Sequence, residues 1–163
     1  MSQPEILETV ASLRARVRAW HTAGETVALV PTMGAFHAGH LELMRAARAE
    51  NDVVVVSLFV NPAQFAPTED FGKYPRDLNG DLRKLASAGG ADLVYAPDAA
   101  EMYPQGFATK ISPEGPARGL ESEARPHFFA GVATVVAKLF LQCRPEIALF
   151  GEKDYQQLLV VKR

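Results

Sequence analysis

The sequence predicts an α/β domain built on a doubly wound, mostly parallel sheet. Three observations carry that prediction. Val27-Ala28-Leu29-Val30 and Val53–Val60 are short continuous apolar runs, the second rich in β-branched residues, as strands covered on both faces require. Segments with helical spacing of apolar residues stand between these runs, and Gly24, Gly89-Gly90 and Pro97 punctuate them. Strands that alternate with helices need crossover connections, which run right-handed and make the strands parallel.

Each element has its own signature. From Pro4 to His21, the apolar residues Ile6, Leu7, Val10, Leu13, Val17 and Trp20 follow helical spacing, closed by Gly24. Val27–Val30 is the first predicted strand, and Gly39–Glu50 the next helix, with Leu41, Met44 and Ala46 or Ala47 on one face. After the Val53–Val60 strand, a helix is expected over Leu78–Ala88 and a strand over Asp92–Ala96. Residues 104–126 are rich in Gly, Pro and charge, which predicts a long loop with a short strand around Thr109–Ile111. An apolar helix over Gly131–Gln142, a strand at Ile147–Phe150 and a helix starting near Asp154 complete the reading.

Composition narrows the function. At 163 residues the chain fits one domain with a substantial core. A formal net charge of −2 offers no broad basic surface for nucleic acid, and no apolar run reaches the length of a membrane span. The first twenty positions carry recurrent charges and lack the pattern of a signal peptide. One cysteine, Cys143, permits no internal disulfide and suits the reducing cytoplasm. It reads as a buried filler of an apolar helix.

The stretch Pro31-Thr32-Met33-Gly34-Ala35-Phe36-His37-Ala38-Gly39-His40 joins the first predicted strand to the helix after it. A helix N-terminus offers unpaired N–H groups and a dipole that favours anions. Glycines allow phosphate oxygens to approach the backbone, and imidazoles donate hydrogen bonds or a proton to them. The stretch therefore reads as a phosphate site. A capping role for His37 and His40 is the structural alternative. A protein-held metal is disfavoured, because no Glu-bearing HExxH pattern and no cysteine cluster accompany the pair.

Two further loops follow strand ends: Asn61-Pro62-Ala63-Gln64-Phe65 and Gly151-Glu152-Lys153-Asp154-Tyr155-Gln156-Gln157. In a parallel sheet all C-terminal strand ends share one edge, where ligands bind. Lys153 suits phosphate as a mobile point charge, and Gly151 suits close backbone approach. Asp154 serves either as a helix N-cap or as a partner for a ribose hydroxyl. Gln64 and Gln157 each donate and accept, which fits a ligand bearing hydroxyl and carboxylate groups. Asn61 before Pro62 sets a turn.

At these residues the chain resembles the pantoate–β-alanine ligase (pantothenate synthetase) family along nearly its whole length. The carrying segments are Val30-Pro31-Thr32-Met33-Gly34 with His37-Ala38-Gly39-His40, Phe59-Val60-Asn61-Pro62-Ala63-Gln64-Phe65, Tyr74-Pro75-Arg76 and Phe150 through Gln157. The resemblance implies a Rossmann-like nucleotidylyltransferase domain of the HIGH type, represented here by residues 37–40. It implies condensation of pantoate with β-alanine through a pantoyl adenylate, with ATP and Mg2+ as cofactors, in a homodimer. ATP binding is then expected from Met33, Gly34, Ala35, Phe36, His37, Ala38, Gly39 and His40 and from Gly151, Glu152, Lys153 and Asp154. His40, His37 and Lys153 are the expected catalytic residues. Gln64 is expected to contact pantoate and β-alanine, and Gln157 pantoate.

Two departures from the family pattern stand out. Arg125-Pro126-His127-Phe128-Phe129-Ala130-Gly131-Val132 places Phe128 where an Arg-x-x-His-Phe-x-Gly-Val pattern has histidine, with His127 one position early. The family's C-terminal domain has no counterpart in residues 1–163. These residues are therefore expected to be its N-terminal nucleotide- and pantoate-binding domain, inactive in pantothenate synthesis alone. Two rival readings remain: a nucleotidylyltransferase acting on a phosphorylated acceptor, and a non-catalytic nucleotide-binding or dimerisation module. The amide pair Gln64 and Gln157 argues against the first, since a phosphorylated acceptor calls for more cations.

Overall fold

The computed structural model describes residues 3–163. They run β1 (Glu5–Leu7), α1 (Val10–Ala23), β2 (Val27–Thr32), α2 (Ala38–Glu50), β3 (Val53–Leu58), α3 (Leu78–Ala88), β4 (Leu93–Tyr95), α4 (Ala99–Met102), α5 (Glu121–Ala124), α6 (Phe128–Cys143), β5 (Ile147–Ala148) and α7 (Tyr155–Lys162). Single 3₁₀ turns lie at Pro62–Gln64, Phe71–Lys73 and Gly115–Ala117. The five strands form one sheet in the order β1-β4-β3-β2-β5, and every described pairing is parallel.

The central pair is in register from Val27↔Val53 to Thr32↔Leu58. Successive side chains of these strands point to opposite faces, and both faces are covered. Val27, Leu29, Val53 and Val55 join Leu13, Val17 and Trp20 of α1 and Val132, Val135 and Leu139 of α6 in one core. Ala28, Val30, Val54 and Val56 join Met44 and Ala47 of α2 and Leu82 and Leu85 of α3 in the other. This is the doubly wound arrangement that the continuous apolar runs predicted. Cys143 is buried in the first core, where burial pushes its thiol up to about 12. No helix among the described residues is long and apolar enough to cross a membrane.

The structure corrects four expectations. Ile6 and Leu7 belong not to the first helix but to β1, which pairs along β4 from Glu5↔Leu93 to Leu7↔Tyr95. The helix begins later, where Thr9 caps it by accepting from the Ser12 N–H. A three-residue strand shows too little alternation to compete with the helical spacing that continues through Val10. The expected strand at Thr109–Ile111 does not form; the Ile111 N–H instead donates to Thr134 Oγ1 of α6 at 3.0 Å. The long loop is not featureless, since it holds the Gly115–Ala117 turn and α5. The last strand is confined to Ile147–Ala148, although Leu149 N–H still donates to Leu29 O.

Connectivity locates the site. From β2 the chain moves through β3 to β4 on one side, then returns to place β5 on the other side of β2. The direction of winding therefore reverses between β2 and β5, and a crevice opens at such a reversal, outside the C-terminal strand ends. The loops leaving β2 and β5 are those carrying His37, His40 and Lys153.

Leu29 is fully buried at the centre of the sheet, whereas Leu141 is 70% exposed on α6. Leu29→Ala is expected to lower unfolding free energy by about 2–5 kcal/mol. Leu141→Ala should stay within about 0.5 kcal/mol of the parent. Urea denaturation of the two variants checks the contrast.

Candidate active site

The loop from β2 to α2 follows an uncommon backbone path. Gly34 and Ala35 both have positive φ, 85° and 54°, a conformation costly for alanine. A carboxylate from another element holds it. Asp81, 2% exposed on α3, accepts from Ala35 N–H through Oδ2 and from Phe36 N–H through Oδ1, each at 2.8 Å. Lys84, one turn further along α3, donates to Phe36 O at 2.8 Å and lies 3.8 Å from Asp81. Gly34 has a second constraint, because a Cβ there would lie 3.0 Å from Asp81 Oδ2. Sequence reasoning missed Asp81 and Lys84. Their loop partners lie 45 to 48 positions away, so no local pattern marks them.

The loop delivers His37 to the N-cap of α2. Its Nδ1 accepts from Gly39 N–H at 3.1 Å, while the His37 N–H donates to His40 Nδ1 at 3.4 Å, a reciprocal capping box. The capping alternative is therefore realised, and it does not displace the phosphate reading. Both caps use Nδ1, so in the neutral rings the proton sits on Nε2, the nitrogen left to meet a ligand. The rings lie 4.1 Å apart between centroids, and Phe36 packs 5.6 Å from His40.

His40 is the more enclosed of the pair. Burial, then the neighbouring His37, pull its pKa below the usual 6.5; Asp81 opposes this, and Lys153 and Lys84 add to it. His37, His40 and Lys153 stand in loops that leave the C-terminal ends of the adjacent parallel strands β2 and β5, and so lie along one edge of the sheet. They do not line either of two cavities, of about 600 and 540 Å³, which lie along β5 and α7 and between α6 and the Ile111–Gly115 segment.

The remaining site residues divide. Met33 is partly buried, Gly34 and Phe36 are buried, and Ala35, Ala38 and Gly39 are exposed along the loop. Gly151, Glu152, Lys153 and Asp154 form an exposed run. Gly151 is not in the left-handed region, and a Cβ there would make an ordinary 3.8 Å contact with Leu43. Asp154 occupies the N-cap position of α7 but makes no capping hydrogen bond, so its carboxylate is not spent on the helix. Gln64 is buried in the Pro62–Gln64 turn, with its Oε1 accepting from Asn61 Nδ2 at 2.9 Å. Of the two glutamines opening α7, Gln156 has the structural task. It donates to Pro116 O and Gly119 O and accepts from Glu121 N–H. The Gln157 side chain has no hydrogen-bond partner among the described residues.

The long-loop histidine does not join this group. His127 stands at the N-cap position of α6 without a capping bond. Arg125 is committed to Glu121 and to Glu69 at 3.6 Å, and stacks 4.1 Å over Phe128. Among the described residues no group of three or more His, Cys, Asp or Glu is placed to hold a metal ion.

Fold and site together define a class: a Rossmann-like α/β domain of the nucleotidylyltransferase type, with an imidazole pair and a lysine at the topological reversal. The family model for pantoate–β-alanine ligase matches residues 5–163, and the chain belongs to that family. Pantothenate synthetase of Mesorhizobium japonicum is 60% identical over 163 residues, covering 100% of this chain and 57% of that protein. A crystal structure of pantothenate synthetase from Thermus thermophilus superposes with a TM-score of 0.90 at 54% identity, over 98% of this chain and 56% of that one. Pantoate–β-alanine ligase from Francisella tularensis, crystallised with β,γ ATP and β-alanine, gives a TM-score of 0.91 at 38% identity, over 98% and 60%. The chain thus spans somewhat more than half the length of these relatives.

The electrostatics of His40 have a measurable sign. Bound phosphate favours imidazolium, so nucleotide binding should raise the His40 pKa and take up protons. Affinity should then strengthen as pH falls toward the depressed value of the free protein. Asp81→Asn removes the one carboxylate that opposes the depression, and should lower the His40 pKa further. Histidine resonances followed by NMR across pH, with and without ATP, check both directions.

Proposed function

We propose that this chain supplies the nucleotide- and pantoate-binding half of a pantoate–β-alanine ligase. In the first step a pantoate carboxylate oxygen attacks the α-phosphorus of ATP. The bond from that phosphorus to the bridging oxygen breaks, and pyrophosphate leaves with the electron pair. In the second step the β-alanine amine attacks the acyl carbon of pantoyl adenylate, the C–O bond to AMP breaks, and the amine loses a proton. Pantothenate and AMP result.

One observation carries this reading. Two imidazoles cap one helix N-terminus through Nδ1, which leaves Nε2 for a ligand, and the loop of Lys153 leaves the strand on the other side of the point where the sheet reverses. Charge grows on the bridging and non-bridging oxygens during adenylation, and preorganised donors and cations lower that barrier. His40 and His37 donate from Nε2, Lys153 neutralises charge, and Met33–Gly39 with Gly151–Asp154 cradle the nucleotide. Mg2+, when bound with the triphosphate, screens charge on the leaving pyrophosphate. Gln64 and Gln157 orient pantoate, and Gln64 also meets β-alanine. No Ser or Cys nucleophile is required; Cys143 is buried in the core on one face of the sheet.

We assign the enzyme to the cytoplasm as a homodimer. The single buried thiol needs no oxidising compartment, and the dimer follows from family resemblance.

His40→Ala and Lys153→Ala, made in the complete ligase, should each slow pantoyl-adenylate formation about 100- to 1000-fold. Pantoate binding should change far less. Single-turnover rates and pantoate-dependent ATP–pyrophosphate exchange measure both quantities, and near-normal rates in both variants would show the assigned roles to be wrong.

A further inference from the structure

We propose that Asn61, oriented by the backbone groups of Ala63 and Gly131, fixes the amide polarity of Gln64, and that Tyr103 is a positioning residue that holds the Asn61 amide in place. Gln64 then offers N–H groups, and no carbonyl oxygen, to a ligand bearing carboxylate or hydroxyl oxygens. The argument begins with Asn61, 1% exposed and hydrogen-bonded on both sides. Its Oδ1 accepts from Ala63 N–H at 3.3 Å and from Tyr103 Oη at 2.8 Å. Its Nδ2 donates to Gly131 O at 3.1 Å and to Gln64 Oε1 at 2.9 Å. A backbone N–H can only donate and a backbone carbonyl can only accept. Ala63 and Gly131 therefore settle which end of the Asn61 amide is oxygen, and the rest of the chain follows. Tyr103 must donate its one proton, and Gln64 must turn its oxygen inward. The Gln64 Nε2 has no partner among the described residues and is the group left for a ligand.

The surroundings preserve this order. The Tyr103 ring packs against Phe59 and Phe107, with centroids 6.3 and 5.2 Å away. Burial pushes the Tyr103 hydroxyl up to about 12, so it keeps its proton at neutral pH. The turn carrying Gln64 is pressed onto α6 at Gly131, where an added Cβ would lie 2.5 Å from Ala63 O. An unpaired amide oxygen beside an anion would repel it. A fixed pair of donors selects for acceptors without any charged side chain in the turn.

The assignment of an acid ligand to Gln64 rests on the proposed function, but the polarity does not, and two measurements separate them. In the ¹⁵N-labelled 163-residue chain, the Asn61 side-chain amide should be protected from solvent exchange and the Gln64 amide should exchange fast. A protected Gln64 amide, donating inward, would overturn the proposal whatever the protein binds. Calorimetry with a non-hydrolysable ATP analogue then follows pantoate. Tyr103→Phe keeps the ring and removes the donor, and should weaken pantoate about 3- to 10-fold while leaving nucleotide affinity unchanged. In a Gln64→Ala background the same substitution should add no further loss. An equal loss in both backgrounds, or none in the parent, would show that Tyr103 does not act through Gln64. If the exchange pattern holds and the parent chain does not bind pantoate, the polarity stands and the assigned ligand falls.

Discussion

Between Gly34 and His37 the backbone turns through two successive residues of positive φ, and the second is alanine. A non-glycine residue in that region costs of order 1–3 kcal/mol. The Asp81 carboxylate accepts both following N–H groups, and hydrogen bonds to a charged group contribute about 1.5–3 kcal/mol each. The carboxylate therefore outweighs the strain, and α3 clamps the start of α2. Everything at the crevice depends on that clamp. It sets where α2 begins, which residue becomes its N-cap, and the direction in which the imidazoles leave the helix. Lys84 closes the clamp by holding the Phe36 carbonyl from the same helix.

The histidine pair shows how one side chain meets two demands. A helix needs its first N–H groups satisfied, and a phosphate needs donors at the same place. Imidazole has two chemically distinct nitrogens, separated by one ring carbon and directed apart, so capping through Nδ1 leaves Nε2 free for a ligand. Serine or aspartate at position 37 would cap the helix but leave no such second group. The observed capping geometry thus leaves room for the phosphate reading.

Much of the fold was readable because it depends on local pattern. The Val53–Val56 run announced a strand covered on both faces, and the spacing of Leu13, Val17 and Trp20 announced the face of α1. Glu5–Leu7 was unreadable as a strand, because it is held by the edge of β4 nearly ninety positions away. The same logic divides the site. His37, Gly39, His40 and Lys153 sit in short segments with distinctive chemistry, and strand ends gather them. Asp81 is an ordinary acidic residue in an amphipathic helix until the tertiary fold brings the Ala35 and Phe36 N–H groups to it. Gln156 and Gln157 are identical in type and adjacent, and only packing against the Pro116–Glu121 segment shows which is committed to structure.

The sheet is firmest between β2 and β3, paired over six residues, and thinnest at β5, paired over two. The imidazoles grow from the firm strand and Lys153 from the thin one. The two jaws of the crevice therefore differ in stiffness. Within residues 3–163, local fraying of β5 from β2 breaks only a short ladder, while the central strands and both cores stay intact. Among the described residues, such asymmetry makes the lysine loop the compliant jaw, while the imidazole jaw keeps its register.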